Sequence, residues 1–252
     1  MTQIAVALKS TTINPVDLAF IVEAWDRQSE EFCAAWGISP YIPVILYTDL
    51  PQAEVGTGEV RVLTIEDDLG VPGAEGYHDD ELGVVFARVL AENNADAGSH
   101  ECCEESADPD CSQYKPMPGG TNEIALEACD PVEADSYLQD ATIGNETRQI
   151  PVSNYVLPSY FDPNGQHPFD RMGKLTAPFT MTSGGYMIVR DASGNTEDVF
   201  ARVIPHDEQG HATAMRKKAR PDSRLARRLR AGRPIAATSE PLTNPGHAPH
   251  FG

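Results

Sequence analysis

Basic residues are scarce in this 252-residue chain: 19 lysines and arginines stand against 38 aspartates and glutamates, for a formal net charge of −19 at pH 7. Nine of the 19 basic residues lie in the segment 216–233, which contains one acid, Asp222. Residues 1–215 therefore carry ten basic residues and 36 acidic ones. Such a body repels phosphates, which disfavours nucleic-acid binding through its main surface, whereas it is compatible with cation binding.

The sequence also lacks a long apolar run, since no stretch approaches the roughly 20 apolar residues of a membrane span. The N-terminus, MTQIAVALKSTTINP, has no charged segment followed by an apolar core, so it reads as a first strand and not as a signal peptide. We therefore expect a soluble protein that is made in the cytoplasm and has no membrane partner.

No CxxC pair occurs among the five cysteines, which disfavours a structural zinc ribbon. The odd number leaves at least one free thiol or an intermolecular bond. Cys102 or Cys103 could form a disulfide with Cys111 or Cys129, and all of them could equally be buried reduced thiols. A thiolate that binds a metal is a third alternative.

Hydrophobic patterning predicts an α/β (α+β) fold with a mixed sheet. A helix follows the first strand and ends near Gly37, whereas LGVPGAEGYHDDELG reads as a Gly/Pro-rich turn. The predicted strands of this part are QIAVALKS (3–10), YIPVILYTD (41–49), GEVRVLTIED (58–67) and VVFARVLA (84–91).

The same reading divides the chain into a domain and a tail. The domain, 1–215, comprises an α/β part, 1–109, and a loop-rich part with short strands, 110–215. The basic tail, 216–252, is expected to be partly disordered. Its segment 216–233 could contact nucleic acid or a protein partner, or could be a solvated helix.

The stretch SHECCEESADP at 99–109 carries the pattern His-Glu-x-x-Glu. On a helix, residues four apart share a face, so His100 and Glu104 could hold one metal ion. Imidazole nitrogen and carboxylate oxygen both ligate zinc at about 2.0–2.2 Å. Glu101 would occupy the general-base position of H-E-x-x-H enzymes, beside a metal-activated water. The alternative is a solvated acidic helix with a stray histidine.

A catalytic zinc site also needs a third protein ligand and an open position for water. A second acidic cluster further along the chain could supply that ligand; its members are Glu127, Asp130, Glu133 and Asp135. A predicted strand precedes the helix, as a substrate-binding edge strand would. His78 in GYHDD is a further candidate for the mouth of the cleft.

An ordered series of motifs spans roughly residues 4–190: WDRQSEEFCAAWG, GYHDD, VVFARV, SHExxExxxDP, EACDPVEADSY, VSNYVLPSYF and GKLTAPFxxxxGGY. In this order they resemble a family of uncharacterised bacterial and phage proteins that are similar to zincin-type metallopeptidases. The usual helix of that family reads SHELLEMLxDP, so the pair Cys102-Cys103 departs from it. The resemblance implies a zincin-like mixed sheet with an active-site helix, followed by a loop-rich part with short strands.

The resemblance also implies roles for individual residues. His100 and Glu104 are the implied metal ligands, Glu101 is the implied base, and Glu133 is the implied third ligand, with Asp130 as the competing choice. The implied cofactor is one zinc ion. Because two carboxylate ligands lower the positive charge of the site, other divalent metals are compatible with it.

Three residues have weaker assignments. Asp108 lies eight residues beyond His100, about 12 Å along a straight helix. We therefore expect it to hydrogen-bond a ligand, unless the chain folds back and it binds the metal itself. Tyr137 and Tyr186 are candidates for stabilising an oxyanion, with a packed aromatic side chain as the alternative for each.

Two functions are compatible with these patterns. The first is a zinc-dependent metallohydrolase, expected to be a peptidase, in which a metal-activated water attacks a peptide carbonyl. The second is a non-catalytic structural or accessory protein of a phage particle, located in the virion, that retains a zincin-like fold and contacts a partner or DNA through its basic tail. A metal with an open coordination position favours the first function, whereas an empty or fully wrapped site favours the second.

Overall fold

The computed structural model of the chain describes residues 2–46, 60–69, 75–81 and 84–201. The first part comprises β1 (Thr2–Leu8), α1 (Pro15–Trp36), β2 (Tyr41–Leu46), β3 (Val60–Glu66), β4 (Gly76–Glu81), β5 (Val84–Leu90) and α2 (Asn94–Ala107). The second part comprises β6 (Tyr114–Pro116), β7 (Glu123–Ala125), β8 (Ser136–Ile143), β9 (Glu146–Ser153), β10 (Tyr186–Arg190) and β11 (Thr196–Phe200). This mixture of several sheets with few helices is consistent with the expected α+β class.

The first sheet has the strand order β2-β1-β3-β5-β4. The pairs β2-β1, β1-β3 and β3-β5 are parallel, whereas β4 runs antiparallel to β5, so the predicted mixed sheet is confirmed. Apolar side chains from its strands, among them Ile4, Leu63 and Val89, are fully buried against the two helices. The continuous apolar runs in these strands agree with a sheet that is covered by helices.

Helix α1 has the boundaries that its sequence predicts. The side chain of Asn14 accepts the backbone N–H of Val16 at 2.8 Å, and Pro15 occupies the first helical turn, where its missing N–H costs nothing. Gly37 ends the helix with φ of 66°, a left-handed conformation that glycine adopts without a steric penalty.

Helix α2 carries the His-Glu-x-x-Glu pattern and has 14 residues, nearly four turns. It crosses α1 at Gly98. A Cβ atom at this position would lie 2.1 Å from the ring of Trp25, which is fully buried. The Trp25 ring is fixed because its Nε1 donates to the carbonyl of Ala95 at 2.8 Å. Glycine therefore allows the helix of the site to lie directly on α1.

Replacing Gly98 by alanine is expected to destabilise the protein by about 1–2 kcal/mol. Overpacking a core position costs about 1–3 kcal/mol, and the better helix propensity of alanine returns up to about 1 kcal/mol. Urea unfolding followed by circular dichroism measures the difference. Gly120→Ala is the matched control, because a Cβ there meets only the backbone nitrogen of Asn122 at 3.9 Å. Equal stability of both variants would contradict the close crossing.

One prediction for the first sheet is wrong. Residues 69–83 read as a turn, yet 76–81 form strand β4. This strand, and not β5, is the outer one of the described sheet, since β5 lies between β3 and β4. Glycine and aspartate have low strand propensity, but pairing with β5 over six residues overrides that local preference.

The sequence reading also missed the hairpin of β8 and β9, which pair over their full length. The dipeptide Gly144-Asn145 is a two-residue hairpin signal, and Gly144 has φ of 60°. The end of β9 is tied to both helices. Ser153 donates its N–H to Ser99 Oγ at 2.7 Å, and its carbonyl accepts from Gln28 Nε2 at 2.7 Å.

The C-terminal part forms a smaller sheet of order β11-β10-β7-β6, in agreement with the short strands expected there. Its core is a second apolar cluster that includes Ile124, Tyr160 and Met187. Trp36 at the end of α1 joins the two parts, because its Nε1 donates to the carbonyl of Val156 at 3.1 Å. The basic tail, 216–252, lies outside the described residues. Neither described helix combines the length and the apolar character that crossing a bilayer requires.

Candidate metal centre

The central residues of α2 are buried although many of them are charged. His100 is 9 % exposed, Glu101 4 %, Glu104 3 % and Glu105 0 %. A solvated acidic helix would expose these side chains, so that alternative is excluded. Burying ionisable groups carries a large desolvation cost unless they are paired or bind a cation. The contacts of these side chains therefore show whether they are paired with one another or arranged to bind a cation.

Three carboxylates surround the imidazole of His100. Its Nε2 lies 3.2 Å from Glu104 Oε2 and 3.5 Å from Asp130 Oδ1, and its Nδ1 lies 3.1 Å from Glu133 Oε2. Ligand atoms of His100, Asp130 and Glu133 lie within 4.8 Å of one another, close enough to hold one metal ion. The sequence treats Asp130 and Glu133 as competing choices, whereas the structure brings both to His100.

A single helical turn explains why both acids reach the histidine. Asp130 begins the 3₁₀ turn Asp130–Val132, and Glu133 follows it, with its N–H bonded to the carbonyl of Asp130 at 3.3 Å. Gly185 lies directly on this turn, since a Cβ there would approach the carbonyl oxygen of Pro131 to 2.2 Å. The turn is thereby fixed between α2 and β10.

One carboxylate oxygen of Glu104 accepts a backbone hydrogen bond, and the other faces His100. Its Oε1 accepts the backbone N–H of Cys129 at 3.0 Å, and its Oε2 contacts His100. Burial raises the pKa of Glu104 to about 8, and the nearby carboxylates of Asp130 and Glu127 act in the same direction, while His100 lowers it. A proton or a cation is therefore favoured at this carboxylate.

The charge state of His100 follows from the same surroundings. Burial by itself lowers the pKa of His100, but Glu104 and Glu133 raise it, so that the pKa lies well above the usual value for histidine. The surrounding carboxylates thus favour the positively charged form of the imidazole. A metal ion that binds there replaces the additional proton of this form, because a ligating imidazole must be neutral.

Glu101 points from α2 toward strand β4. Its Oε2 lies 3.0 Å from Nδ1 of His78, which the sequence places only at the mouth of the cleft. A Cβ on Gly76 would lie 2.8 Å from Glu101 Oε1, so the absence of a side chain at residue 76 gives this carboxylate its position. The candidate base is thus oriented by an adjacent strand, which sequence spacing does not reveal.

A cavity of about 60 Å³ opens beside His100 and Glu101. It has room for a few water molecules. Its other lining residues are Glu75, Gly76, Asp96, Ala97, Glu133, Ser153 and Tyr186. The sequence reading missed Glu75 and Asp96, which no motif marks. Burial raises the pKa of Asp96 to about 6. The cavity is acidic and therefore suited to a cation or to a cationic part of a substrate.

The remaining candidates occupy different places. Tyr186 lines the cavity, whereas Tyr137 does not: it packs against the first core, and the guanidinium of Arg171 lies 5.1 Å from the centre of its ring. The carboxylate of Asp108 accepts the backbone N–H groups of Ser112 at 3.1 Å and Gln113 at 2.9 Å. These bonds turn the chain away from the end of α2 and account for the burial of Asp108 without a metal.

All five cysteines are buried free thiols. Burial raises the pKa of Cys102, Cys103 and Cys129, which disfavours the thiolate that metal binding requires. Within the described part of the chain, neither group of potential metal ligands contains a cysteine. The sequence allows disulfides, buried reduced thiols or a metal-bound thiolate. In the structure the cysteines are buried reduced thiols, which pack as small apolar groups.

Comparison of the chain with known protein families, with curated proteins and with solved structures finds no match. The resemblance to zincin-like proteins therefore rests on the motifs quoted above.

Proposed function

We propose that the protein is a metal-dependent hydrolase that cleaves peptide bonds. Zinc would be bound by His100, Glu104 and one of the two acids Asp130 and Glu133, which leaves a coordination position open for water. One observation supports this proposal above the others: a buried histidine, contacted by three carboxylates, stands in the wall of a cavity that also exposes a fourth carboxylate, Glu101. A purely structural ion-pair network does not require an adjoining cavity.

The donor set fits a divalent cation. Imidazole and carboxylate ligands suit zinc, and the excess of oxygen donors also suits manganese. When bound, such an ion lowers the pKa of water toward about 7 and polarises a carbonyl group. The buried position of the ligands favours binding because a cation relieves the repulsion among carboxylates that are shielded from solvent.

The side chains of the chain itself supply the remaining chemistry. Glu101 lines the cavity and can accept a proton from a water molecule there, then return it to the leaving amine. Tyr186 lines the same cavity, and its hydroxyl can donate a hydrogen bond to an oxyanion. Both roles require the substrate carbonyl to enter between α2 and β10.

Strand β4 supports a peptide as the substrate. It is one of the two edge strands of the described sheet, and its first residue, Gly76, together with Glu75, lines the cavity. An extended peptide can pair with the open edge of a strand through backbone hydrogen bonds. A peptide that pairs there would pass its backbone across the cavity beside Glu101.

Metal content and casein cleavage, measured on the same purified samples, test the proposal. We expect wild type to carry zinc and to cleave, and His100→Ala to lose both zinc at this site and cleavage. His167→Ala is the matched control, because His167 is exposed and belongs to neither group of potential ligands. Wild type that carries no divalent metal, or that carries it without hydrolysing any peptide, would overturn the proposed function.

A further inference from the structure

A second group of potential ligands lies beside the first and shares only Glu104 with the proposed zinc site. It consists of His78, Glu104 and Glu127, whose ligand atoms also lie within 4.8 Å of one another. The side chain of His78 is 5 % exposed and reaches α2 from strand β4. Glu127 follows β7 and is 7 % exposed. Elements remote in sequence thus converge on the same glutamate.

Glu104 lies between the two histidines. Its Oε2 is 3.2 Å from Nε2 of His100 and 3.5 Å from Nδ1 of His78. The bond from Cys129 N–H to Oε1 keeps the carboxylate in this orientation. A carboxylate placed between two imidazoles is suited to bridge two metal ions, which in such sites lie about 3.5–4 Å apart.

The charge of the cluster also favours more than one cation. Five buried or half-buried carboxylates contact the two histidines or share their ligand groups, namely Glu101, Glu104, Glu127, Asp130 and Glu133. With neutral imidazoles and ionised acids, one divalent ion leaves a formal charge of about −3, whereas two leave about −1. Binding two ions therefore leaves less uncompensated negative charge in this buried site, so its electrostatic free-energy cost is smaller.

Glu105 provides an independent observation on the His78 side of the cluster. Its side chain is fully buried, and among the residues that the structure describes neither carboxylate oxygen finds a hydrogen-bond partner. It lies within electrostatic reach of His78 and of Arg61. An orphaned buried carboxylate is rare in proteins, and positive charge near His78 would compensate it.

We propose that the protein binds a second divalent cation at His78, Glu104 and Glu127, so that Glu104 bridges a pair of metal ions. This inference rests on the proposed function in one respect, since it shares Glu104 with the proposed zinc site. In a pair of this kind, one ion can hold the attacking oxygen and the other the oxygen of the substrate. Glu101, 3.0 Å from His78, would then orient the second histidine as well as line the cavity.

Metal stoichiometry tests the second site. Metal-free wild type is titrated with Mn²⁺ under equilibrium dialysis, beside His78→Ala, Glu127→Gln and the exposed control His167→Ala. We expect two ions per chain in wild type and in the control, and one ion in each of the two site variants. Far-UV circular dichroism establishes that each variant is folded, and Glu127→Gln preserves the shape of the side chain if His78→Ala does not fold.

Electron paramagnetic resonance of the Mn²⁺ protein tests whether the two ions are adjacent, because ions bridged by one carboxylate couple magnetically. One ion in both wild type and the site variants, or two in all of them, would overturn the second site. One ion in wild type, together with peptide cleavage, would leave the proposed function intact. Two coupled ions without cleavage would support the second site and remove the proposed function. No ion in wild type would overturn both.

Discussion

Replacing Glu101 by glutamine is expected to lower the rate of peptide cleavage by about 10²- to 10⁴-fold, the usual contribution of a general base. The bound metal should remain, because in the described part of the chain Glu101 belongs to neither group of potential ligands, although its carboxylate contacts His78. Glutamine has nearly the same shape and can still accept a hydrogen bond from His78, but it cannot take up a proton from water at neutral pH.

The measurement combines kcat with metal content on the same preparation. Glu92→Gln is the matched control, since Glu92 is exposed in the short turn before α2 and the same change of charge there should leave the rate unchanged. A Glu101→Gln variant with full metal and full activity would show that another group accepts the proton. Loss of metal together with activity would show that Glu101 is itself a ligand.

Divalent metal is expected to raise the thermal stability of the protein by about 8–16 °C when free ion exceeds its dissociation constant by about 1,000-fold. Binding to the folded state alone contributes about 4 kcal/mol at that ratio, and each kcal/mol shifts the melting temperature by about 2–4 °C for a chain of this size. The physical reason is the cluster of buried carboxylates around His100, whose mutual repulsion the cation removes.

Differential scanning fluorimetry with and without chelator measures this shift. Mn²⁺ is the better probe, because zinc also binds the thiolates of the five cysteines in the unfolded chain and so weakens the effect. His100→Ala should show a smaller shift, because it loses the ion that His100 holds, whereas His167→Ala should respond like wild type. A shift that is equal in wild type and His100→Ala would place the metal elsewhere.

Local sequence patterns determined the parts of this protein that depend on neighbouring residues. The cap at Asn14 and the stop at Gly37 define α1, because capping and left-handed φ are properties of a few adjacent residues. Likewise, the spacing of His100 and Glu104 puts them on one helix face whatever surrounds the helix. The contact between these two side chains was therefore predictable, and the structure has it at 3.2 Å.

Only the tertiary structure decided which other groups join them. Residues 76–81 have weak strand propensity and become the outer strand only because β5 is there to pair with, and this pairing carries His78 to α2. The contact of both Asp130 and Glu133 with His100 depends on the turn against Gly185, and the burial of Glu105 depends on packing that no local pattern encodes. Helix periodicity is a property of the chain itself, whereas strand pairing and burial are properties of partners far away in sequence.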